Sequence, residues 1–426
     1  MALENKTQMD ALLKNVYTDV VREQVAINSP VHDMFVKETD AQWSGDGRQA
    51  IELAVMSLNE GVGAIAEDAN LPTAGNFDPQ NFTISMKYVY GSFKATEQII
   101  RSAMSSKGAF KNFQRMSMDT LTRNMKRERA RMIFGSGTGL LARVNGAQSS
   151  QTVIEVDDPG GVTGSVGGAR YLRKGMILAI DSATDVACTV TSVAADGLSF
   201  TTGSLSCDDN SPIYRISTAA GIANTNEWGK DNEPLGLMGI IDDGTLVGTY
   251  QSLSRTTYPQ LKSRIESSVG ALTADVLYKN IDIAMQLGDG EISMLAMHPS
   301  VRRAYVAMME GDRRYSGANL AAPDAGTNAV KRNGELTFGG IPITWDPNCP
   351  YGTVFGIDKR DMKRYVQVDG EWAENDGGIL RQDTATGLKD TWTAFYRLWE
   401  NYHCSRPNTC FRLDGVTATA VYVASY

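Results

Sequence analysis

Residues 109–134 read AFKNFQRMSMDTLTRNMKRERARMIF and are followed by Gly135-Ser136-Gly137. This stretch predicts a long helix, because its apolar residues recur at a spacing that aligns them on one helix face, and glycines follow the last of them. At 1.5 Å per residue, such a helix is about 39 Å long. The apolar stripe consists of Phe110, Phe113, Met118, Leu121, Met125 and Met132.

The other faces of this helix are strongly basic, with only Asp119 and Glu128 as acidic residues. Two interpretations stay open. The charges form a solvated face, as charge runs usually do, or they form a surface that meets acidic partners or nucleic acid. The basic residues are Lys111, Arg115, Arg123, Lys126, Arg127, Arg129 and Arg131.

Upstream of the helix, residues 44–95 predict an extended β-hairpin. Its first strand is Ile51–Leu58. Its second is residues 82–93, FTISMKYVYGSF, where Phe82, Ile84, Met86, Tyr88 and Tyr90 alternate onto one face. The segment between the strands is too long for a tight turn, and an isolated hairpin is marginally stable. We therefore expect the hairpin to lie on another surface, either of this chain or of a neighbour.

Three further regions follow the helix, and a helix over residues 3–27 precedes the hairpin. Residues 146–222 predict a small inserted β barrel or sandwich, because short β-prone runs alternate there with turn residues. From about residue 256 helices alternate with strands. One helix spans 273–287, with Thr273 as N-cap and Gly288 as its stop, and another starts at Pro299. The predicted strands of this region include Met362–Val368. The third region, residues 378–426, again predicts strands, among them Thr409–Leu413.

The composition is that of a soluble globular protein of two or three domains, with 426 residues, of which 42% are hydrophobic. The net charge of −8 argues against a surface that grips nucleic acid everywhere. Five scattered cysteines without a Cys-x-x-Cys pair predict small buried side chains in a reducing compartment. No apolar run approaches the ~18 residues of a membrane span.

The sequence predicts no catalytic, cofactor or metal site. Its three histidines lack metal-ligand spacing, and His298 before Pro299 is interpreted as a helix-start residue. Gly135–Gly139 follows a helix, whereas a phosphate cradle precedes one. The acidic pairs Asp157-Asp158, Asp208-Asp209 and Asp242-Asp243 all fall in turns, where Asp is favoured.

Several short motifs carry a resemblance to a known family, and their order is the main evidence. They follow an arm, a long hairpin and one long helix. They are Met297-His298-Pro299-Ser300-Val301, Phe338-Gly339-Gly340-Ile341-Pro342-Ile343 with Pro350–Asp358, and Arg397–Cys404 with Arg406-Pro407 and Phe411–Val416. In this order the chain resembles the major capsid proteins of tailed bacteriophages, which have the Hong Kong-type phage capsid fold.

The resemblance implies an α+β fold with seven segments. These are an N-terminal arm (1–43), an extended loop (44–95), a peripheral domain with a spine helix (96–145), an inserted β domain (146–222), a return to the peripheral domain (223–255), an axial domain (256–377) and peripheral C-terminal strands (378–426). The insertion departs from the minimal family pattern.

The resemblance also implies a function. Hexamers and pentamers of the chain would form an icosahedral virion shell around double-stranded DNA, assembled in the bacterial host cytoplasm with a scaffolding protein, a portal and a decoration protein as partners. Each extended loop would lie over an adjacent subunit, with Trp43, Arg48, Glu67, Asp68 and Phe77 as contacts. The spine helix would turn Arg115, Arg123, Lys126 and Arg127 to the inner surface.

Some family members cross-link a loop Lys to an Asn of a neighbour. No Lys occurs between Arg48 and Lys87, so we expect no such cross-link here. A separate scaffolding protein is expected, unless a leader is removed before Met1. Two alternatives stay open: the shell of a bacterial nanocompartment, and a β-rich hydrolase with a pocket that holds a perturbed carboxylate pair.

Overall fold

The computed structural model describes residues 29–39, 41–67, 69–98, 107–165, 167–310, 336–373, 381–382 and 390–418. The helix expected over residues 3–27 lies outside these ranges. Four α-helices occur in the described chain, and none of them is both long and apolar enough to cross a membrane. They are α1 (Lys107–Met132), α2 (Leu237–Ile240), α3 (Ala274–Gly288) and α4 (Pro299–Glu310).

The strands of the described residues form five sheets. In chain order the strands are β1 (Val36–Lys37), β2 (Gln42–Trp43), β3 (Gln49–Ser57), β4 (Asp78–Ser85), β5 (Lys87–Thr96), β6 (Leu140–Val144), β7 (Gln148–Asp157), β8 (Ile177–Ile180), β9 (Val186–Thr189), β10 (Ser192–Val193), β11 (Ser199–Cys207), β12 (Pro212–Arg215), β13 (Thr249–Tyr250), β14 (Leu253–Ser254), β15 (Arg264–Glu266), β16 (Met294–Met297), β17 (Thr337–Phe338), β18 (Ile341–Trp345), β19 (Val354–Ile357), β20 (Met362–Trp372), β21 (Arg381–Gln382), β22 (Thr391–Cys404) and β23 (Phe411–Leu413).

The hairpin is confirmed as β3 paired with β4, with β2 on the other side of β3. The second predicted strand is wrong in one respect, since it breaks at Met86. Beyond the break, β5 leaves the hairpin and pairs along β22. Phe82, Ile84 and Met86 are buried, whereas Tyr88 and Tyr90 are 42% and 55% exposed. The alternation of apolar side chains therefore predicts burial correctly up to Met86 and wrongly for Tyr88 and Tyr90.

The five-stranded sheet runs β1-β20-β22-β21, with β5 also paired to β22. The long helix α1 covers one of its faces. A Cβ atom on Gly91 of β5 would lie 3.0 Å from Met125 Sδ and 3.1 Å from Leu121 Cδ1, so glycine lets the helix approach closely. The helix ends at Met132, two residues before the predicted end at Phe134, and the Gly135 N–H bonds to the Met132 carbonyl.

A seven-stranded antiparallel sheet, β10-β11-β7-β6-β12-β8-β9, follows α1. It has a hydrophobic core of its own, which includes Leu141, Ile154, Leu178, Phe200 and Ile213. The sequence predicts that this region starts at residue 146. The sheet itself begins with β6 at Leu140, because the chain pairs soon after the turn that ends α1.

The six-stranded sheet runs β15-β23-β19-β16-β18-β17, and α3 and α4 pack against the same core. Two strands pair differently from the predicted segments. β20, placed with residues 256–377, pairs with β22, while β23, placed with 378–426, joins β15 and β19.

The helix boundaries in this region follow the sequence analysis closely. Thr273 is the N-cap of α3, because its hydroxyl accepts the Val276 N–H at 3.3 Å. Gly288, predicted as the stop, is the last helical residue. Asp289 takes the left-handed conformation that ends the helix, with a φ of 54°.

Candidate interaction surfaces

The hairpin is anchored to its own chain through Glu52 of β3. The half-buried Glu52 carboxylate accepts hydrogen bonds from Tyr365 Oη, from Ser405 Oγ and, at 3.1 Å, from Lys363 Nζ. Burial opposes its ionisation, yet the pKa of Glu52 is lowered, because His403 and these three donors favour the charged form. One carboxylate of the hairpin is thus held by residues of β20 and by residues at the end of β22.

A buried histidine lies beside this anchor. His403 Nε2 is 3.6 Å from Glu52 Oε2, and the imidazole packs edge-on against Phe82 of β4, with ring centroids 4.8 Å apart. Its Nδ1 lies 3.2 Å from the Tyr250 hydroxyl. Burial lowers the pKa of His403 to about 4, so the ring is neutral at pH 7. The base of the hairpin is therefore part of the protein core.

The outer face of β3 is apolar and exposed. Ala50 and Met56 point into the core, whereas Ile51, Leu53 and Val55 point away from it, and Leu53 is 68% exposed. A strand that is apolar on both faces is typical of a sheet covered on both sides. Here the chain covers one side of the hairpin, and we see no described residues that bury the other.

The hairpin tip, residues 58–77, contains no helix or strand in its described residues, 58–67 and 69–77. It is also rich in exposed apolar side chains. Exposed apolar side chains gathered in one segment are expected where a protein contacts another molecule. The exposed residues are Leu58, Val62, Ile65, Leu71 and Phe77.

Four of the five residues predicted to make inter-subunit contacts are exposed, but they lie at two ends of the hairpin. Trp43 of β2 and Arg48 of the turn before β3 lie at its base, whereas Glu67 and Phe77 lie in the tip. Asp68 lies outside the described residues. Exposure makes these residues available for contact, and whether they contact another subunit stays a prediction.

The basic residues of α1 divide into two groups that the sequence analysis did not separate. Arg129 and Arg131 are used inside the chain, where Arg129 pairs with Glu400, and Arg131 pairs with Glu128 and Glu233. Arg123 and Lys126 are exposed, and Arg127 is half-buried. The side chain of Arg115 lies outside those described.

Glu128 is the junction between α1 and the seven-stranded sheet. Its carboxylate faces Arg131 of the same helix at 3.1 Å, Arg215 of β12 at 3.3 Å, and Arg173. Arg173 also donates to Asn124 Oδ1 at 2.8 Å. From sequence, Glu128 is only an acid on a basic helix, because Arg173 and Arg215 are distant from it along the chain.

Arg170 links the seven-stranded region to the loop before β19. Its guanidinium donates to the Pro347 and Cys349 carbonyls and lies 4.4 Å from the centroid of the Tyr351 ring.

Asp242, interpreted from sequence as a turn residue, is fully buried and pairs with Arg255 at 3.2 Å. It also accepts turn N–H groups, so the turn interpretation was correct but incomplete.

His298 and the five cysteines are residue types that often serve catalysis, and all of them are buried in this chain. His298 Nδ1 accepts the Ser300 N–H at 3.1 Å, which confirms it as a helix-start residue, and burial lowers its pKa to about 3. All five cysteines are buried and unpaired, and burial raises the pKa of the Cys188 thiol to about 11. Among the described residues, no group of three or more His, Cys, Asp or Glu residues is placed to hold a metal ion.

Comparison with known proteins finds no matching family model and no matching curated protein. Solved structures do match. The capsid asymmetric unit of cyanophage A-1(L) matches 96% of this chain and 98% of its own, with a TM-score of 0.54 and 11% sequence identity. The capsid of the native GTA particle matches 98% of this chain and 100% of its own, with a TM-score of 0.51 and 11% identity. The chain therefore has the fold of phage capsid proteins, as the resemblance implied.

Proposed function

We propose that this protein is the major capsid protein of a tailed bacteriophage. Its copies assemble through hexamers and pentamers into an icosahedral shell that encloses double-stranded DNA. The observation that carries the proposal is the likeness in fold to phage capsid structures over nearly the whole chain. Because only about one residue in ten is identical, this likeness supports a shared fold and not by itself a shared function. The surfaces of this chain must therefore also support the function.

The hairpin supports assembly. Its base is fixed by Glu52, while the outer face of β3 and the tip expose aliphatic and aromatic side chains. If another subunit covers this surface, the burial stabilises the assembly by roughly 25 cal/mol for each Å² of apolar area removed from water. Trp43, Arg48, Glu67, Asp68 and Phe77 remain the proposed contacts with the adjacent subunit.

The segment assignments become more specific. The inserted β domain corresponds to the seven-stranded sheet from Leu140 to Arg215 and the loops between its strands. The peripheral domain consists of α1 and the five-stranded sheet, and the axial domain contains the six-stranded sheet, including β23. Glu128 and Arg170 hold the inserted domain against both. A scaffolding protein, a portal and a decoration protein remain proposed partners, with assembly in the bacterial cytoplasm.

Four basic residues of α1 are the proposed DNA contacts. Arg123 and Lys126 are exposed, and Arg115 and Arg127 complete the set proposed from sequence. Contacts with phosphates need no base recognition, and a few of them in each subunit suit a genome that is packed without sequence specificity.

The proposed shell is stabilised without Lys–Asn cross-links. The hairpin tip contains no lysine, and Lys87, the first lysine after it, is half-buried and donates to the Asp231 carbonyl at 2.6 Å. Particles boiled in detergent should therefore migrate as single chains on a denaturing gel. A ladder of covalent multimers would contradict this part of the proposal.

The main test is expression of the full chain with and without a candidate scaffold, followed by light scattering and negative-stain microscopy. Closed shells, tubes or rings of capsomers are the expected result. A monomer under all conditions would overturn the proposal and favour the hydrolase alternative. If the chain forms shells during a phage infection, their contents separate the remaining alternatives, because a virion contains DNA whereas a nanocompartment contains a cargo protein.

A further inference from the structure

The junction between α1 and the seven-stranded sheet carries more positive than negative charge. In the described chain, two carboxylates lie within ion-pair distance of three guanidinium groups. The acids are Glu128 and Glu233, and the arginines are Arg131, Arg173 and Arg215. Glu128 contacts all three arginines, whereas Glu233 contacts only Arg131 among them. Three positive charges therefore share two negative ones, and one positive charge stays unbalanced.

A fourth arginine adds to this excess. Arg127 lies one turn before Arg131 on α1 and is half-buried. The pKa of Arg173 is lowered, first by burial and then by the positive charges of Arg127 and Arg215. The pKa of Arg215 is lowered by burial and by Arg131, which outweighs the opposing effect of Glu233. Charges removed from water are stable only when they are paired, so this mutual repulsion indicates a missing negative charge.

The unbalanced charges can be reached from solvent. Glu128 and Arg131 are buried, whereas the side chain of Arg215 is 41% exposed and that of Arg173 is 15% exposed. Arg173 also donates to Asn124 Oδ1 at 2.8 Å, which fixes the direction of its guanidinium group. A small anion can therefore enter from the solvent side and meet guanidinium groups that the chain already holds in place.

A phosphate group has the charge and the shape for this position. Each guanidinium group presents parallel N–H donors that can bind two phosphate oxygens at once. With a second pKa of about 6, free phosphate carries between one and two negative charges near pH 7, which is close to the excess at the junction. Its tetrahedral oxygens can accept from arginines of α1 and of the sheet together. Chloride carries a single charge and has no such set of directed acceptors.

We propose that this arginine junction, in which Arg127, Arg173 and Arg215 surround the buried pair of Glu128 and Arg131, binds a phosphate group. The phosphate is either the free ion or part of a DNA backbone. It bridges the long helix and the inserted β domain and supplies the missing negative charge. The inference goes beyond the proposed function and does not depend on assembly, because every residue of the site belongs to one chain.

Protection from arginine modification tests this site on the unassembled full-length chain. Phenylglyoxal reacts with accessible guanidinium groups, and mass spectrometry identifies the modified peptides. Sodium phosphate, compared with sodium chloride at equal ionic strength, should slow modification of Arg215. The slowing should reach about tenfold when phosphate is at ten times its Kd, because the unprotected fraction falls as 1 + [L]/Kd. Arg143 of the neighbouring strand β6 should react at the same rate in both salts.

A short DNA duplex in a parallel sample identifies the source of the phosphate. Protection of Arg215 by sodium phosphate supports a site for the free ion. Protection by the duplex alone supports a contact with the DNA backbone. If neither sodium phosphate nor the duplex protects Arg215, the proposal is overturned, and the proposed capsid function is unaffected.

A matched pair of substitutions gives an independent readout. Arg215→Gln and Arg143→Gln each remove one positive charge from adjacent strands of the same sheet, and Arg143 donates to the Asn210 carbonyl at 3.1 Å instead of joining the junction. The probe that protects Arg215, sodium phosphate or the duplex, should raise the Tm of the parent and of Arg143→Gln equally. It should raise the Tm of Arg215→Gln by less than half as much. Equal increases in the two variants would contradict the proposal, and if Arg215→Gln fails to fold, the modification result decides.

Discussion

Arg129 of α1 and Glu400 of β22 form a two-pronged ion pair across the interface between the long helix and the five-stranded sheet, with Arg129 Nε 2.6 Å from Glu400 Oε1. Glu400 is fully buried, and it also accepts from Arg364 at 3.2 Å and from the Tyr402 hydroxyl at 2.9 Å. A planar guanidinium matches a carboxylate in this geometry, which fixes orientation as well as distance. The pair therefore sets where α1 lies on the sheet.

Replacing Glu400 by Gln should destabilise the fold severely. The substitution leaves Arg129 and Arg364 near one another without the buried carboxylate between them, and breaking a buried pair costs about 3–5 kcal/mol. The free energy of unfolding from urea titration of the unassembled chain measures the loss. Asp369→Asn is the control, because Asp369 contacts the same two arginines but its side chain is 43% exposed, so a much smaller loss is expected. Equal losses would contradict the central role of Glu400.

Replacing Glu52 by Gln should loosen the hairpin and leave most of the fold intact. The amide keeps the shape but loses the charge that Lys363 faces, and it cannot accept from all three donors as the carboxylate does. Hydrogen exchange of β3 and β4 should become faster by about tenfold, which corresponds to roughly 1.4 kcal/mol. Glu67→Gln at the exposed tip should leave this exchange unchanged. Unchanged exchange in both variants would show that Glu52 is not the anchor.

Acid should destabilise the protein below about pH 6.5. The folded pKa of His403 is about 4, against an ordinary value of 6.5, so the unfolded chain binds the proton more readily. The stability conferred by neutral His403 is complete above pH 6.5 and falls as the pH falls towards 4, by about 3 kcal/mol in total. His298 acts in the same direction, and Glu52, whose pKa is also lowered, adds a loss as the pH falls through and below its ordinary range.

The variant His403→Gln tests the histidine part of this dependence. It should lower stability at pH 7, because the ring packs against Phe82 and Tyr250, and it should flatten the dependence of unfolding free energy on pH between 6.5 and 4. Denaturant titrations at several pH values measure both effects. A variant with the same slope as the parent would assign the acid sensitivity to other groups.

Reversing exposed charges on α1 should weaken retention of DNA without affecting shell assembly. The double variant Arg123→Glu, Lys126→Glu changes two exposed side chains, and Lys174→Glu, Lys262→Glu makes the same change in net charge elsewhere on the surface. Filled particles of the first variant should release DNA at a lower temperature than those of the second, and their release should depend less steeply on salt concentration, because fewer phosphate contacts displace fewer counterions. If the two variants release DNA equally, the proposal that α1 faces the DNA is wrong.

Much of the fold follows from patterns that a reader can see along the chain. The helix α1, the capped start of α3 at Thr273 and the hairpin strands all appear close to where spacing and turn residues predict them. These features depend on residues a few positions apart, whose side chains meet on the same helix face or alternate on the same strand. The resemblance to phage capsid proteins also rests on the order of such elements.

The candidate surfaces were only partly predictable. Composition identified the basic residues of α1, yet it could not separate Arg129 and Arg131, which pair inside the chain, from Arg123 and Lys126, which stay exposed. The partner of Arg129 lies 271 residues away. The contact between Tyr88 and Trp399 was missed for the same reason, because these residues become neighbours only when β5 pairs with β22.

The sequence by itself determined the type and order of the elements, the lack of a lysine in the hairpin tip and the lack of a recognisable catalytic motif. Only the tertiary structure decided which strands share a sheet, where burial stops along residues 82–93, and which charges are neutralised within the chain. The physical reason is the range of the interactions. Helix and strand periodicity is set by nearby residues, whereas strand pairing, desolvation and ion pairing depend on groups that folding brings together from distant parts of the chain.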